Sequence, residues 1–142
     1  MTHPSFEIQG AGRTGRWLIT CDHATNRVPD WVNGGCLGLD PADMQRHIAY
    51  DVGAAGVTRL LAEALESPAI LSDFSRLVID PNRGEDDPTL LMKLYDGTII
   101  PANRHADEAE RERRLDALHR PYHNAYADLV RRRDDVVVCA VH

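Results

Sequence analysis

Apolar residues along the chain alternate between short continuous runs and stripes with helical spacing. The continuous runs are typical of buried strands, and they predict strands at 16–21, 69–72, 76–80 and 136–142. Apolar residues three and four positions apart predict one helix from about 41 to 67 and another from about 104 to 133. This alternation of strands and helices is typical of a single α/β domain.

Polar and turn-forming residues separate these predicted elements. Asp40 is a suitable N-cap for the first helix, and Ser67-Pro68 should end it. Asp96-Gly97 indicates a tight turn, and Pro121 predicts a kink or break inside the second helix. The glycine-rich stretch before the first strand is predicted to be a loop or hairpin connection. No helix follows its glycines, which argues against a nucleotide-binding loop.

Length and charge narrow the class of protein. The chain has 142 residues, enough for one ordinary domain, and its net charge of -6 argues against binding to nucleic acid. No apolar run approaches the length of a membrane span, and the sequence shows no signal peptide. Its three cysteines form no CxxC pair, which favours a reduced, cytoplasmic location. Because the last run has the composition of a core strand yet closes the chain, we expect residues 1–142 to be the N-terminal part of a larger α/β domain.

Two of the predicted strands end in histidine. The first runs into Asp22-His23, and the last ends at His142. Ligands bind at the carboxyl ends of the strands in open α/β sheets, so parallel neighbours would bring both imidazoles into one crevice. Imidazole is the commonest metal ligand among side chains, which makes this pair a candidate metal site. The same pattern also fits two histidines that cap their strands.

Two further pairs stand four residues apart and would share a helical face. In the first, Asp51 could complete a metal site or orient the ring of His47, and a surface pair explains the same spacing. The second pair, His119 and His123, lacks the glutamate of the zinc-protease signature. We therefore expect this pair to have a packing or substrate-side role.

A last polar group surrounds the end of the run at 76–80. The guanidinium fork of Arg83 and the amide of Asn82 could bind a substrate carboxylate. On this interpretation the substrate-binding residues are Asn82, Arg83 and Arg76. A salt bridge within the turn, between Asp80 and Arg83, would explain the same pattern.

Several motifs occur in order along nearly the whole chain. They are CDHATNRVP, LGL, HIAYDVGA, SRLVIDPNR, DGTIIPAN, PYHNAYADL and the strand that ends at His142. Together they resemble the N-formylglutamate amidohydrolase (N-formylglutamate deformylase) family. In that family the last histidine is the first residue of a further motif, and additional strands and helices follow this motif. The resemblance therefore covers the N-terminal part of a typical member.

This resemblance implies a hydrolase that acts on a small-molecule substrate and cleaves a linear amide C–N bond. The named reaction converts N-formyl-L-glutamate to formate and L-glutamate in histidine degradation. The implied fold is a three-layer α/β/α sandwich with a mixed, mostly parallel sheet, similar to zinc carboxypeptidase-like (phosphorylase/hydrolase-like) folds. The resemblance also implies a Zn²⁺ cofactor held by His23 and His142, a carboxylate bound by Asn82 and Arg83, and a general base beyond residue 142.

One position departs from the pattern of the wider zinc carboxypeptidase-like group, in which an acid three residues after the first histidine helps to hold zinc. The residue three after His23 is Asn26 rather than an acid, and asparagine is a poor zinc ligand. We prefer Asp51 as the third metal ligand because its helix should start beside the same sheet edge, with Asp22 and His47 as alternatives. Asn26 favours an alternative function, that of a metal-free relative that binds a carboxylate. The CDHATN form of the motif differs from the PH-x-G form associated with the histidine-degradation enzymes, which keeps open a hydrolase of a different N-acyl amino acid.

Overall fold

The computed structural model describes residues 3–142 of the chain. Its strands are β1 (Phe6–Gln9), β2 (Trp17–Cys21), β3 (Ala69–Ser72), β4 (Leu94–Tyr95), β5 (Thr98–Ile99) and β6 (Val137–Ala140). Its helices are α1 (Ala54–Ala64), α2 (Pro101–Arg104), α3 (Glu108–Arg114) and α4 (Arg120–Val130). A π-helical turn at Leu115–His119 joins α3 to α4, and short 3₁₀ turns lie at Asn33–Gly35 and Asp43–Gln45. Within the described residues, no helix is both long and apolar enough to cross a membrane.

The main sheet has four strands in the order β1-β3-β2-β6. Strand β2 runs parallel to both β3 and β6, whereas β1 is antiparallel to β3. The sheet is therefore mixed and mostly parallel, as the family resemblance implies. Strand β1 was not predicted from the sequence: its four residues alternate between apolar and polar, but the run is short and leads directly into a glycine-rich stretch.

Helices and loops cover the two faces of this sheet. Alternate side chains of a strand point to opposite faces. On one face Ile19 and Leu71 pack against Ala62 of α1. On the other face Leu18 and Ile70 belong to a larger core that contains residues of the π-turn and α4, namely Leu115, Leu118, Tyr122 and Leu129. This arrangement confirms the α/β/α layering.

The prediction of a helix from about 41 is wrong over its first part. Helix α1 begins at Ala54, and Asp40 is not its N-cap. Gly53 has a left-handed backbone with a φ of 84°, which interrupts helical geometry just before α1. The segment before it is held by the tertiary fold, because the backbone N–H of Asp51 donates to the carbonyl of His23 at 2.9 Å. This bond places Asp51 at the end of β2.

The prediction of a strand at 76–80 is also wrong. Leu77, Val78 and Ile79 are fully buried, which explains the strand-like composition, but they join no sheet. Side chains satisfy their carbonyls instead: the Asn103 amide donates to Leu77 at 2.6 Å, and the Arg114 guanidinium donates to Val78 at 2.9 Å. A buried backbone group needs a partner, and here a neighbouring strand is replaced by two polar side chains.

The second predicted helix is divided as Pro121 suggests. Helix α3 begins only at Glu108, where the Asp107 side chain accepts a hydrogen bond from the backbone N–H of Glu110 at 2.8 Å. The π-turn ends at His119, two residues before Pro121, whose missing N–H cannot take part in the α-helical bonding. The predicted turn at Asp96-Gly97 is confirmed as well, since it joins β4 to β5 with φ values of 47° and 78°.

Candidate functional site

The two strand-end histidines lie next to each other. His23 follows β2 and His142 follows β6, and these strands are parallel neighbours in the sheet. The centroids of the two rings are 5.6 Å apart. His23 is 2% exposed, whereas the side chain of His142 is 45% exposed at the rim. The sheet thus brings both imidazoles to one edge, as the strand-end pattern predicts.

Asp51 supplies a carboxylate between the two rings. Its Oδ2 atom lies 3.1 Å from Nδ1 of His23 and 3.3 Å from Nδ1 of His142. One ligand atom from each of these three residues falls within 4.8 Å of the others, so the group could hold a metal ion. Two imidazole nitrogens and one carboxylate oxygen are also the donors of many catalytic zinc sites, which keep the fourth position for water or substrate. The donor set therefore fits zinc.

A second carboxylate supports His23 from the opposite side of its ring. Oδ1 of Asp80 lies 2.7 Å from Nε2 of His23, and Asp80 is 1% exposed. Burial raises the pKa of Asp80, but the contact with His23, the N–H of Asn82 and the charge of Arg76 together outweigh burial and leave the pKa lowered. An ionised carboxylate here would keep the ring hydrogen on Nε2 and leave Nδ1 free to bind a metal.

Arg76 connects the same two carboxylates. Its guanidinium lies 3.5 Å from Asp51 and 3.3 Å from Asp80, and it stacks over the ring of Tyr95 at 5.0 Å. These contacts orient Arg76 toward the carboxylates around His23. Its predicted role in substrate binding stays a prediction.

The alternative third ligands have other partners. Asp22 accepts a hydrogen bond from the Tyr122 hydroxyl at 2.6 Å, and the side chain of His47 is 64% exposed and pairs with Asp96. Asn26 donates to the carbonyl of Met44 at 2.7 Å, which gives it a structural contact away from the two rings. The geometry therefore groups Asp51, rather than Asp22 or His47, with the two histidines.

A cleft of about 570 Å³ opens beside this cluster. Its lining includes polar and charged side chains, among them Asp22, Asn82, Arg83, His119, Arg120 and His123. Asp80 links the cleft to the cluster, because it contacts His23 on one side and lies 3.4 Å from Nε of Arg83 on the other. The predicted Asn82-Arg83 pair thus lies next to the candidate metal site.

The two arginines of the cleft differ in their surroundings. Arg120 is in contact with three carboxylates, those of Glu85, Glu112 and Asp116. Arg83 has longer contacts, at 3.4 Å to Asp80 and 3.7 Å to Asp87. Arg120 is held by three close carboxylates, whereas Arg83 has two partners at longer distances, so Arg83 is the better candidate to attract an anionic ligand.

Asp80 was not predicted to be a site residue from the sequence. It was considered only as the partner of Arg83 in a turn salt bridge, and this contact is present in the structure. The signal that could have identified it is an acid that ends a fully apolar run, since such a buried carboxylate needs a strong partner. That partner, His23, is 57 residues away in the chain, and local spacing could not reveal it.

Comparison with solved structures finds proteins of similar fold. A structure of a gene product from Agrobacterium tumefaciens matches with a TM-score of 0.92 and 34% identity, over 97% of this chain and 56% of its own. A structure of an N-formylglutamate amidohydrolase from Ralstonia eutropha JMP134 has the same fold, with a TM-score of 0.64 and 22% identity, over 89% of this chain and 51% of its own.

The chain therefore spans about half the length of these two solved structures. Among proteins with curated descriptions, none matches it significantly. The profile of the N-formylglutamate amidohydrolase family matches residues 15–142, which include His23, Asp51, the Asn82-Arg83 pair and His142. The chain belongs to the N-formylglutamate amidohydrolase family.

Proposed function

We propose that this chain carries the metal centre and the substrate anchor of a metal-dependent amidohydrolase that acts on an N-acyl amino acid, such as N-formyl-L-glutamate. The observation that carries the proposal is the group formed by His23, Asp51 and His142 at the carboxyl ends of two parallel strands. Membership of the family supports the amide as the bond that is cleaved.

His23, Asp51 and His142 would hold the metal ion, and Asp80 would fix the orientation of the His23 ring. When bound, zinc would act as a Lewis acid that polarises the amide carbonyl and makes water a better nucleophile near neutral pH. Arg76 balances part of the negative charge of the two carboxylates, which lie 3.5 Å and 3.3 Å from its guanidinium. This balance would keep the two carboxylates oriented before and after the ion binds.

Arg83 and Asn82 would anchor the carboxylate of the substrate in the adjacent cleft. A guanidinium binds a carboxylate through two parallel hydrogen bonds, which fixes its direction as well as its position. Holding the substrate there would present its acyl group to the metal centre and remove much of the entropic cost of the reaction. The general base that takes the proton from water, and returns it to the leaving amine, is proposed to lie beyond residue 142 in a larger domain.

Formate release from N-formyl-L-glutamate by the full-length protein tests this proposal. We expect the wild-type protein to release formate, a chelator to abolish this turnover and added zinc to restore it. The His142→Ala variant should show no turnover. The His47→Ala variant is the control, because this exposed histidine pairs with Asp96 away from the metal group. Turnover of other N-acyl amino acids alone would support the different-substrate alternative, and turnover that resists chelation would contradict metal dependence.

A further inference from the structure

Two histidines of the second helical region hold the loop that carries the substrate anchor. His119 ends the π-turn, and His123 lies one turn later in α4. Nε2 of His119 lies 2.9 Å from the carbonyl of Arg83, and Nε2 of His123 lies 2.8 Å from the carbonyl of Pro81. These two carbonyls flank Asn82, so the pair contacts both sides of the predicted anchor.

The contacts define which nitrogen of each ring carries the hydrogen. A carbonyl oxygen can only accept, so Nε2 is the donor in both rings. Nδ1 of His119 is buried and has no hydrogen-bond partner within residues 3–142, which fits a bare acceptor in a neutral ring. The rings also pack against each other at a tilt of 48°, with centroids 4.6 Å apart, so each restricts the rotation of the other.

The opposite side of the loop is held from the metal centre. The backbone N–H of Asn82 donates to Oδ1 of Asp80 at 2.9 Å, and this same oxygen contacts His23. Residues 81–83 are therefore tied at one side to the carboxylate behind the metal site and at the other side to two helical histidines. A loop held at both sides presents its side chains in one arrangement, which lowers the entropic cost of binding a ligand.

We propose that His119 and His123 are positioning residues for the substrate carboxylate and act through Arg83. This inference rests on the proposed function, because it assigns the role of the His119–His123 pair relative to the same anchor. Neither ring needs to touch the substrate: the pair fixes the backbone of residues 81–83, and that backbone determines where the guanidinium of Arg83 meets the ligand. Loss of the pair should then weaken substrate binding more than it slows the chemical step.

Substitution of His123 tests the inference, because this ring is half-buried and is not one of the buried core residues. We expect His123→Ala to raise the KM for N-formyl-L-glutamate about tenfold while kcat changes by less than about threefold. His123→Gln keeps an N–H donor at a similar reach, so its KM should lie close to the wild-type value. His105→Ala, at an exposed position outside the cleft, is the control and should behave as wild type.

A double-mutant cycle separates positioning from a general structural effect. In an Arg83→Met background, His123→Ala should leave KM unchanged, because the group it positions has been removed. An unchanged KM in the single variant, or an equal rise of KM in both backgrounds, would overturn the inference.

Hydrogen exchange gives a readout that does not depend on activity. The amides of Asn82 and Arg83 should exchange faster in His123→Ala than in wild type, and slow exchange in the variant would overturn the inference. Absence of formate release by the wild-type protein would instead count against the proposed function. The two failures are therefore distinguishable.

Discussion

The imidazole of His23 and the carboxylate of Asp80 are in contact at 2.7 Å, and both side chains are almost fully buried. This contact uses Nε2 of the ring, so Nδ1 faces Asp51 and His142. A single histidine thus connects a buried support on one side with the candidate metal ligands on the other. Several consequences can be measured.

Asp80 should control metal affinity without being a ligand. Asp80→Ala removes the acceptor for the ring hydrogen of His23 and also leaves the N–H of Asn82 without its partner. Loss of such a supporting carboxylate typically lowers metal affinity about 10- to 100-fold. Zinc titration by calorimetry would measure the metal affinity, and Asp86→Ala, a substitution of an exposed aspartate, is the matched control. An unchanged zinc affinity in Asp80→Ala would contradict the supporting role.

The buried Arg114 should be important for stability. Its guanidinium donates to the carbonyl of Val78 at 2.9 Å and to the side chain of Asn103 at 2.6 Å. Arg114→Ala leaves these buried acceptors unpaired, so we expect a loss of about 3 kcal/mol in the free energy of unfolding. Urea denaturation would measure the loss. Arg131→Ala, in an exposed pair with Asp128, should leave the urea midpoint unchanged.

His119 should make stability depend on pH. Burial is the main cause that lowers its pKa below the usual 6.5; His123 and Arg120 act in the same direction, while the Arg83 carbonyl and Glu85 act against it. Below pH 6.5 the unfolded chain therefore takes up a proton more readily at this histidine than the folded protein does. The stability that the neutral His119 ring contributes is fully present above pH 6.5, and it is lost as the pH falls through the lowered pKa of the folded protein.

Thermal unfolding at a series of pH values would detect this effect. His119→Gln cannot titrate but keeps a donor for the carbonyl of Arg83. Its Tm should therefore fall less than that of wild type when the pH drops below 6.5. Equal slopes of Tm against pH for the two proteins would show that His119 does not contribute to the pH dependence of stability.

The convergence of His23 and His142 at the sheet edge could be predicted from the sequence, because it follows from the direction of the strands. Parallel strands end at the same edge, so residues that follow β2 and β6 had to meet once those strands were neighbours. Asp51 lies beside the same edge for a reason other than the expected one. Its expected helix begins only at Ala54, and a loop bonded to the carbonyl of His23 puts the carboxylate in place.

The segment at 76–80 shows where local pattern fails. Its apolar residues are buried as a strand would be, and periodicity cannot tell such a segment from a true strand. Asn103 and Arg114 decide the outcome, since they satisfy its carbonyls from distant parts of the chain. The contact between Asp80 and His23 could not be predicted for the same reason, because it depends on the tertiary fold.

Zinc binding to the full-length protein and its histidine variants tests the central claim most directly. If His23, Asp51 and His142 form the metal centre, the wild-type protein will hold zinc after gel filtration, as measured by elemental analysis. His23→Ala and His142→Ala will lose most of that zinc, whereas His47→Ala will retain it. Zinc content that is equal in wild type and in His142→Ala would contradict the account.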